Sequence, residues 1–193
     1  MTGIEQTGSN VSIALIHYPV YDKNRRAVAT AVTNLDLHDI ARAARTFGLF
    51  RYYVVTPVAE QRELAERIAS HWREGWGATY NPKRRAALEL MRVADSLEAV
   101  NEEIGKVYGK PARSVVTGAR GFPGSISCIE LAELIKDASQ PYLLLFGTGW
   151  GLTEEVFERA DYVLAPIRGA GDYNHLSVRS AAAIILDRLL GQR

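Results

Sequence analysis

Glycine-bearing loops follow three strand-like runs in the second half of this chain. Gly118 and Gly121 follow the run SVVT, residues 147–152 (GTGWGL) follow YLLLF, and residues 168–172 (RGAGD) follow YVLAPI. Since glycine has no side chain, it lets backbone amide and carbonyl groups approach a ligand closely. A tight turn would explain one such loop, but three together favour a ligand site at the carboxyl ends of parallel strands.

The positions of these glycines exclude the common nucleotide-binding fingerprints. Phosphate-binding α/β domains carry a glycine turn after their first strand, whereas residues 17–33, which follow the first strand-like run here, contain no glycine. Neither a G-x-G-x-x-G turn nor a Walker loop follows any strand-like run. A Rossmann-like oxidoreductase is therefore disfavoured, although binding of a nicotinamide cofactor would restore that hypothesis.

Composition and charge exclude several other classes. The chain has 193 residues, of which 47% are hydrophobic and 23% are charged, so we expect one globular domain over residues 1–193. The single cysteine excludes a disulfide framework or a multi-cysteine zinc site, and the four histidines are scattered, so we expect no metal. The formal net charge is +1, so any basic surface for a nucleic acid must be local.

The N-terminal segment lacks the basic region and long apolar run of a signal peptide. No stretch reaches the roughly 18 apolar residues of a membrane span. We therefore expect a cytoplasmic protein with no membrane partner, and a flexible tail over residues 1–10.

Strand-like and helical patterns alternate along the chain. Strands are predicted over residues 11–17, 52–56, 88–93, 114–117, 142–146 and 162–167, and helices over residues 36–47, 59–72, 97–108, 126–137, 153–160 and 176–190. Because the strands are continuous apolar runs, the pattern predicts an α/β fold with a mostly parallel sheet covered by helices on both faces. The last helix is apolar on nearly all sides over residues 181–186, which indicates burial within the monomer or against a second copy.

Two local basic segments could contact a nucleic acid. Arg25 and Arg26 lie in the long loop after the first strand. The second segment interleaves aromatic and basic side chains, namely Trp72, Arg73, Trp76, Tyr80, Lys83, Arg84 and Arg85. Aromatic rings between cations suit stacking on unpaired bases together with phosphate contacts. The alternative is that the rings fill the core while the cations are solvated, and for Trp72 we favour that alternative.

Two longer stretches resemble the motifs of a known family. Residues 147–185 read GTGWGLTEEVFERADYVLAPIRGAGDYNHLSVRSAAAII, and residues 36–48 read DLHDIARAARTFG. The first stretch is similar to a pattern made of a glycine loop, a strand ending near I-P, and then S-L-N-V-S-x-A-A-A-I. The second stretch is similar to N-x-G-A-I-x-R-x-A-x-x-F-G. These patterns belong to the SpoU-type members of the SPOUT superfamily, which are RNA methyltransferases with a deep trefoil knot. Asp36 and Ser177 stand where the two motifs have asparagine.

The whole chain resembles a small bacterial group of this superfamily, related to the domain fused behind some tRNA guanine-N1 methyltransferases. The resemblance implies a C-terminal trefoil knot, a homodimer, and methyl transfer from S-adenosylmethionine to tRNA or rRNA, with S-adenosylhomocysteine as product and no metal. It also implies that the late loops bind the cofactor, through Thr117, Gly118, Phe146, Gly147, Thr148, Gly149, Trp150, Gly151, Leu152, Ile167, Arg168, Leu176 and Ser177.

Arg42 matches the arginine of the first motif. At 100° per residue it falls on the side of the 36–47 helix away from the apolar stripe, with His38 and Arg45 near it. Arginine stays protonated and binds phosphate in bidentate fashion, so the resemblance implies that Arg42 grips phosphate or stabilises developing charge. The alternative is a solvated helix face. If this side of the helix binds RNA, His38 and Arg45 join Arg25, Arg26 and residues 83–85 as RNA-binding candidates.

Three further residues are catalytic candidates. Ser177 matches a motif position that contacts cofactor or acceptor, and its alternative is a serine in the first turn of a helix. Asp172 and Glu154 lie beside the predicted cofactor loops, where either carboxylate could accept a proton from a base or a ribose. Their alternatives are a turn residue and a favourable charge near a helix start, respectively.

The sequence leaves two questions open. The methylated atom could be a ribose 2′-oxygen or a base nitrogen. The departures at Asp36 and Ser177 also keep a second function under consideration, namely a catalytically silent SPOUT-fold protein that only binds RNA.

Overall fold

A six-stranded parallel sheet forms the centre of this computed structural model, which describes residues 9–192. The strands of the described residues are β1 (Val11–Ile16), β2 (Val20–Tyr21), β3 (Ala27–Val28), β4 (Arg51–Val55), β5 (Met91–Ala94), β6 (Arg113–Val116), β7 (Tyr142–Gly147) and β8 (Tyr162–Val163). The sheet order is β5-β4-β1-β7-β6-β8, while β2 and β3 form a separate antiparallel hairpin. The central strands β1 and β7 are almost entirely buried, as their continuous apolar sequences predict.

Helices cover both faces of this sheet, as predicted. They are α1 (Asn34–Thr46), α2 (Ala59–Arg73), α3 (Trp76–Tyr80), α4 (Pro82–Leu88), α5 (Leu97–Tyr108), α6 (Cys128–Leu134), α7 (Glu154–Glu158) and α8 (Val178–Leu190). Residues of α1, α2, α4, α6 and α8 join the core on one face, and residues of α5 and α7 join the core on the other. Alternate side chains of β1 divide between these two cores, since Ile13 points to the first and Ala14 to the second.

Several predicted boundaries were wrong. The segment predicted as a strand from residue 88 begins only at Met91, because Leu88 ends the unpredicted helix α4. The last strand stops at Val163 rather than at residue 167, and α6 is shorter than the predicted 126–137 because Ser127 is its N-cap. The hairpin β2–β3 and the short helix α3 were not predicted.

The tail expected over residues 1–10 falls mostly on residues that the structure does not describe. Residues 1–8 lie outside the described residues, but Asn10 is fixed in place. Its side-chain amide donates hydrogen bonds to the carbonyl oxygens of Ile135, Asp137 and Gln140, which ties the chain start to the end of α6.

The segment after β8 lies between two stretches of chain. The amide of Leu164 donates to the carbonyl of Val116 at the end of β6. On its other side, Ile126 donates to Val163 and accepts from Ala165. The loop over residues 117–126 therefore passes from one side of this segment to the other, and the deep trefoil knot implied by the resemblance stays a prediction.

Within residues 9–192, none of the helices combines the length and the apolar character that crossing a membrane would require. In the same part of the chain, no three His, Cys, Asp or Glu side chains lie together in a way that could hold a metal ion.

Candidate functional site

A cavity of about 680 Å³ lies at the carboxyl ends of β6 and β7. Its walls are the loop after β6, the glycine loop after β7, the segment that follows β8 and the first turns of α8. Twelve of the thirteen predicted cofactor residues line this cavity. The exception is Arg168, which is exposed and whose guanidinium lies beside Gly121. The cavity thus brings together the first two glycine-bearing loops and the segments that flank the third, whose residues 168–172 do not line it. The role of these segments in binding a cofactor stays a prediction.

The glycine loop after β7 needs its glycines for conformation and for space. Gly149 and Gly151 have φ angles of +57° and +93°, which side-chain-bearing residues rarely adopt. A Cβ on Gly147 would lie 2.8 Å from both the Cγ and the amide nitrogen of Leu152. The loop therefore folds back tightly on itself and presents backbone groups to the cavity.

The hairpin β2–β3 holds this loop from outside. The amide of Trp150 donates to the carbonyl of Tyr21 at 3.0 Å, and the amide of Tyr21 donates to the carbonyl of Gly151 at 2.8 Å. Val20 and Leu152 add a bridge of the antiparallel type. The unpredicted hairpin is therefore part of the cavity's architecture.

A chain of polar groups lies beneath the loop. The hydroxyl of Thr148 donates to the carbonyl of Ile16 at 3.0 Å and is hydrogen-bonded to the hydroxyl of Thr30. Thr30 in turn is 3.0 Å from Nδ1 of the fully buried His17. Burial lowers the pKa of His17 to about 4, although Asp36 opposes the shift, so this imidazole is neutral near pH 7. Sequence reasoning treated His17 as a scattered histidine and missed its place under the cavity.

An ion pair between α1 and α8 forms another part of the cavity wall. The Asp36 carboxylate, whose side chain is 10% exposed, lies 3.2 Å from the guanidinium of Arg179 and accepts a hydrogen bond from the Thr33 hydroxyl at 2.6 Å. Asp39 lies 3.6 Å from the same guanidinium. Sequence reasoning missed Arg179, although it stands where the family motif has serine and therefore carried a signal.

Ser177 caps the last helix and also lines the cavity. It is the N-cap of α8, where its hydroxyl accepts from the amide of Ser180 at 3.4 Å and is 2.8 Å from the Ser180 hydroxyl. It also lines the cavity. Its part in chemistry stays a prediction.

Arg42 does not line the cavity of the single chain. Its side chain is 63% exposed on α1 and lies 3.9 Å from Asp39, the residue that also faces Arg179. A chain of charges therefore leads from the cavity wall to Arg42, whose catalytic role stays a prediction.

The carboxylate candidates fit a proton-accepting role poorly. Glu154 lies 2.9 Å from both Arg120 and Arg25, and hydrogen bonds from these two guanidiniums lower its pKa, which makes it a weaker base. It lies in the first turn of α7, as its structural alternative predicted. Asp172 is exposed in the loop before α8 and does not line the cavity.

Two of the predicted RNA-binding residues are engaged with the protein itself. Arg25 pairs with Glu154 and lies over the Tyr21 ring at 4.0 Å, so it is not the free cation that its sequence context predicted. His38 packs edge-on against Trp72 at 5.5 Å, and its pKa is lowered by burial and then by Arg84. The part of His38 in RNA binding stays a prediction, while the packing role favoured for Trp72 is confirmed.

The remaining basic candidates fall on two surfaces. Arg26 is exposed on the hairpin near the cavity, and Arg45 is exposed in the last turn of α1. Lys83 and Arg85 are exposed on α4, and Arg84 is half-buried there. Because α4 packs against α1, the structure joins two basic segments that lie far apart in the sequence.

Comparison with known proteins gives a consistent result. A family model described as SAM-dependent RNA methyltransferase matches residues 10–191. A tRNA (guanine-N(1)-)-methyltransferase of Oleidesulfovibrio alaskensis is 44% identical over 190 residues, which cover 98% of this chain but only 44% of that protein. An uncharacterized protein of Aquifex aeolicus is 43% identical over 183 residues, covering 95% of this chain and 89% of that one. The chain thus spans less than half the length of the first of these relatives.

Solved structures share the fold. The SpoU methyltransferase AviRb from Streptomyces viridochromogenes, in complex with the cofactor AdoMet, matches with a TM-score of 0.60 at 19% identity, over 94% of this chain and 57% of that one. TrmJ from Z. mobilis ZM4 matches with a TM-score of 0.60 at 18% identity, over 94% and 69%. At these identities the likeness concerns the fold alone.

Proposed function

The chain belongs to the SAM-dependent RNA methyltransferase family, and from this premise we propose that it transfers a methyl group from S-adenosylmethionine to a nucleotide of structured RNA, tRNA or rRNA. The observation that carries the proposal is the cavity of about 680 Å³, which is lined by two glycine-bearing loops and by the segments that flank the third, in a chain that matches the family over residues 10–191. Cavities of this size are typical of sites for small molecules and cofactors.

The lining of the cavity suits this cofactor. Apolar side chains such as Phe146, Leu152 and Leu164 can pack against an adenine ring. The backbone of the tight glycine loop can supply polar groups at close range. When bound, S-adenosylmethionine supplies a methyl group on a positively charged sulfur, so the chain's own residues mainly have to orient the acceptor.

In this proposal, the residues in and near the cavity have different roles. The loops hold the cofactor, Ser177 fixes the start of α8 beside it, and Arg42, exposed on α1 outside the cavity, grips a phosphate of the RNA. Proton acceptance does not fall to Glu154, because two arginines hold its carboxylate. The carboxylate of Asp36 lines the cavity, but Arg179 and Thr33 engage it.

That last contact favours the second candidate, a silent RNA-binding protein. Among the described residues, two carboxylates line the cavity: Asp36 is held by Arg179, and Asp22 accepts hydrogen bonds from the backbone amides of Asn24 and Arg26. Because the protein itself engages both, neither is an evident group to take a proton from the acceptor. The two candidates share the RNA partner and differ in turnover. The guanine-N1 activity in the names of two relatives belongs to proteins of which this chain covers only 44% and 43%, so the methylated atom does not follow from them.

The test is calorimetric titration with S-adenosylmethionine and S-adenosylhomocysteine, with NADH as a control ligand. Saturable binding of the first two alone supports the proposal, and NADH binding contradicts it. Ala181→Phe, which places a ring in the cavity wall, should abolish binding. Ala138→Phe, in an exposed loop at the opposite end of β7, should leave it unchanged.

Turnover is measured by transfer of a labelled methyl group to total tRNA and to rRNA. Label in either fraction supports methyl transfer and identifies the substrate class. Cofactor binding without transfer to any RNA would instead support the silent RNA-binding protein.

We further propose that the chain acts as a homodimer. Among the described residues, Leu35 on α1 and Ile129 on α6 are large apolar side chains that stay exposed, Ile129 to 77%, on helices that flank α8. Ile129→Glu should convert a dimer to a monomer in light scattering. Val107→Glu, on the opposite face of the sheet, serves as the control, and a wild-type monomer would contradict the proposal.

A further inference from the structure

An exposed aromatic pair lies on the short helix α3. Trp76 and Tyr80 are 70% and 68% exposed, and their rings stack on each other at 4.8 Å with an angle of 19° between the planes. Their spacing of four residues places both rings on one side of the helix. Rings of this size normally bury most of their area, so a contiguous exposed pair marks a binding surface.

Basic side chains follow this pair along the chain, while the exposed Glu74 precedes it. From Trp76 to Leu88 the chain carries three cations, Lys83, Arg84 and Arg85, and no carboxylate. Arg85 is paired with Glu89 at 3.1 Å, whereas Lys83 is exposed. A surface that combines exposed rings with uncompensated positive charge is complementary to an anionic chain that carries planar bases.

The packing of the helices connects this surface to the cavity. Helix α4 lies against α1, whose first turn contributes Thr33 and Asp36 to the cavity wall. Arg42 and Arg45 are exposed farther along the same helix. At a rise of about 1.5 Å per residue, the strip from Asp36 to Arg45 is about 14 Å long, so one extended strand could contact both ends.

The geometry of the rings limits how a base can bind. Since Trp76 and Tyr80 already stack on each other, a base cannot insert between them without breaking the pair. It can, however, extend the stack on an outer ring face. Such stacking tolerates any base and requires that the base be unpaired, because a duplex keeps its faces covered.

We propose that Trp76, Tyr80, Lys83 and Arg84 form a docking surface for an unpaired segment of the substrate RNA, remote from the methylated nucleotide. This inference rests on the proposed function for the identity of the RNA as substrate. Stacking on the ring pair supplies affinity, and Lys83 contacts a phosphate. Arg84 lies 4.4 Å over the Trp72 ring, so its guanidinium is held at that position against the protein.

The first test measures binding of the full chain to a fluorescein-labelled oligouridine of about 12 nucleotides by anisotropy. Trp76→Ala/Tyr80→Ala should bind at least about tenfold more weakly, whereas Trp76→Phe/Tyr80→Phe should stay within about threefold of wild type. An RNA duplex of the same length should bind equally to all three proteins. Unchanged affinity of the double alanine variant, or no binding of the wild type to oligouridine, would overturn the proposal.

The second test concerns charge. Lys83→Ala should lower the slope of log affinity against log salt by about 0.7, the value for one phosphate contact with a single strand. An unchanged slope would remove Lys83 from the surface. Molecular mass by light scattering is recorded for every variant, since a dimer that dissociates in the double alanine variant while RNA binding persists would make this surface a protein interface.

The proposed function and this inference fail separately. Calorimetric binding of S-adenosylmethionine should be the same in wild type and in Trp76→Ala/Tyr80→Ala. If the wild type does not bind S-adenosylmethionine, only the proposed function is contradicted. If the wild type and the double alanine variant bind oligouridine equally well, only the docking surface is contradicted.

Discussion

The Asp36–Arg179 pair gives the sharpest test of how this site is built. It joins α1 to α8 across 143 residues of sequence and forms part of the cavity wall. Both partners depart from the family motifs, which have asparagine and serine at these positions. We therefore expect the two departures to act as one coupled change, in which an ion pair replaces two neutral side chains.

The magnitude follows from how far each partner is buried. Removing one partner of a fully buried pair costs about 3–5 kcal/mol. Asp36 is nearly buried, but Arg179 is 37% exposed, so solvent reduces the loss on Arg179→Ser to about 2–3 kcal/mol. Asp36→Asn should cost about 1 kcal/mol, because the Thr33 hydroxyl still has an acceptor and Arg179 can turn toward water.

The double variant Asp36→Asn/Arg179→Ser restores the family's residues and leaves no buried charge. Its loss should be smaller than the sum of the single losses by at least about 1.5 kcal/mol. The assay is urea unfolding of the wild type, both single variants and the double variant, with the m value checked for constancy. If the loss in the double variant equals the sum of the two single losses within about 0.5 kcal/mol, the two side chains are not coupled. The ion pair would then not explain why Asp36 and Arg179 differ from the family motifs.

Three further predictions concern single residues. The pKa of His17 falls from 6.5 to about 4 on folding, so its contribution to stability should be complete above pH 6.5 and be lost as the pH falls from 6.5 to 4. The free energy of unfolding should therefore drop by about 2 kcal/mol from pH 7 to pH 5. In urea unfolding, His17→Gln should lack that drop. Ser177→Ala should lower stability by about 1 kcal/mol through loss of the cap. Ser177→Asp should keep the cap. If both variants bind S-adenosylmethionine more weakly than the wild type, the Ser177 hydroxyl contacts the cofactor. If both bind it normally, the hydroxyl acts only as the helix cap. Arg42→Ala should lower methyl transfer while cofactor affinity stays within a few-fold, and unchanged transfer would remove Arg42 from the mechanism.

Local sequence patterns were sufficient to predict the parallel sheet and the glycine loop after β7. The buried strands β1 and β7 are continuous apolar runs, and the glycines after β7 sit where a side chain would clash or where φ is positive. Helix α4 also had a local signal that was not used, since Asn81 caps its start and Pro82 occupies its first turn. The hairpin β2–β3 lacked such a signal, because its turn places Arg25 rather than glycine at a positive φ of 62°.

Long-range charge pairing was beyond those patterns. Sequence reasoning assigned Arg25 to RNA and Glu154 to proton transfer, yet the two lie 2.9 Å apart although 129 residues separate them. This one pairing engages a candidate for RNA contact and a candidate for proton transfer at once. The pairing of Arg179 with Asp36 was likewise beyond local patterns, because the two residues lie in different motifs.

The pairings also narrow where RNA can bind. Arg25 and Arg120 share Glu154, and Arg179 faces Asp36 and Asp39, so the protein partly compensates these three cations of the cavity wall, while Lys23 is exposed there. A partly compensated wall suits a small molecule that carries charges of both signs better than a polyanion. The exposed cations Arg42, Arg45 and Lys83 lie instead on α1 and α4, outside the cavity. Cofactor and RNA backbone are therefore expected to occupy different surfaces, which meet at the first turn of α1.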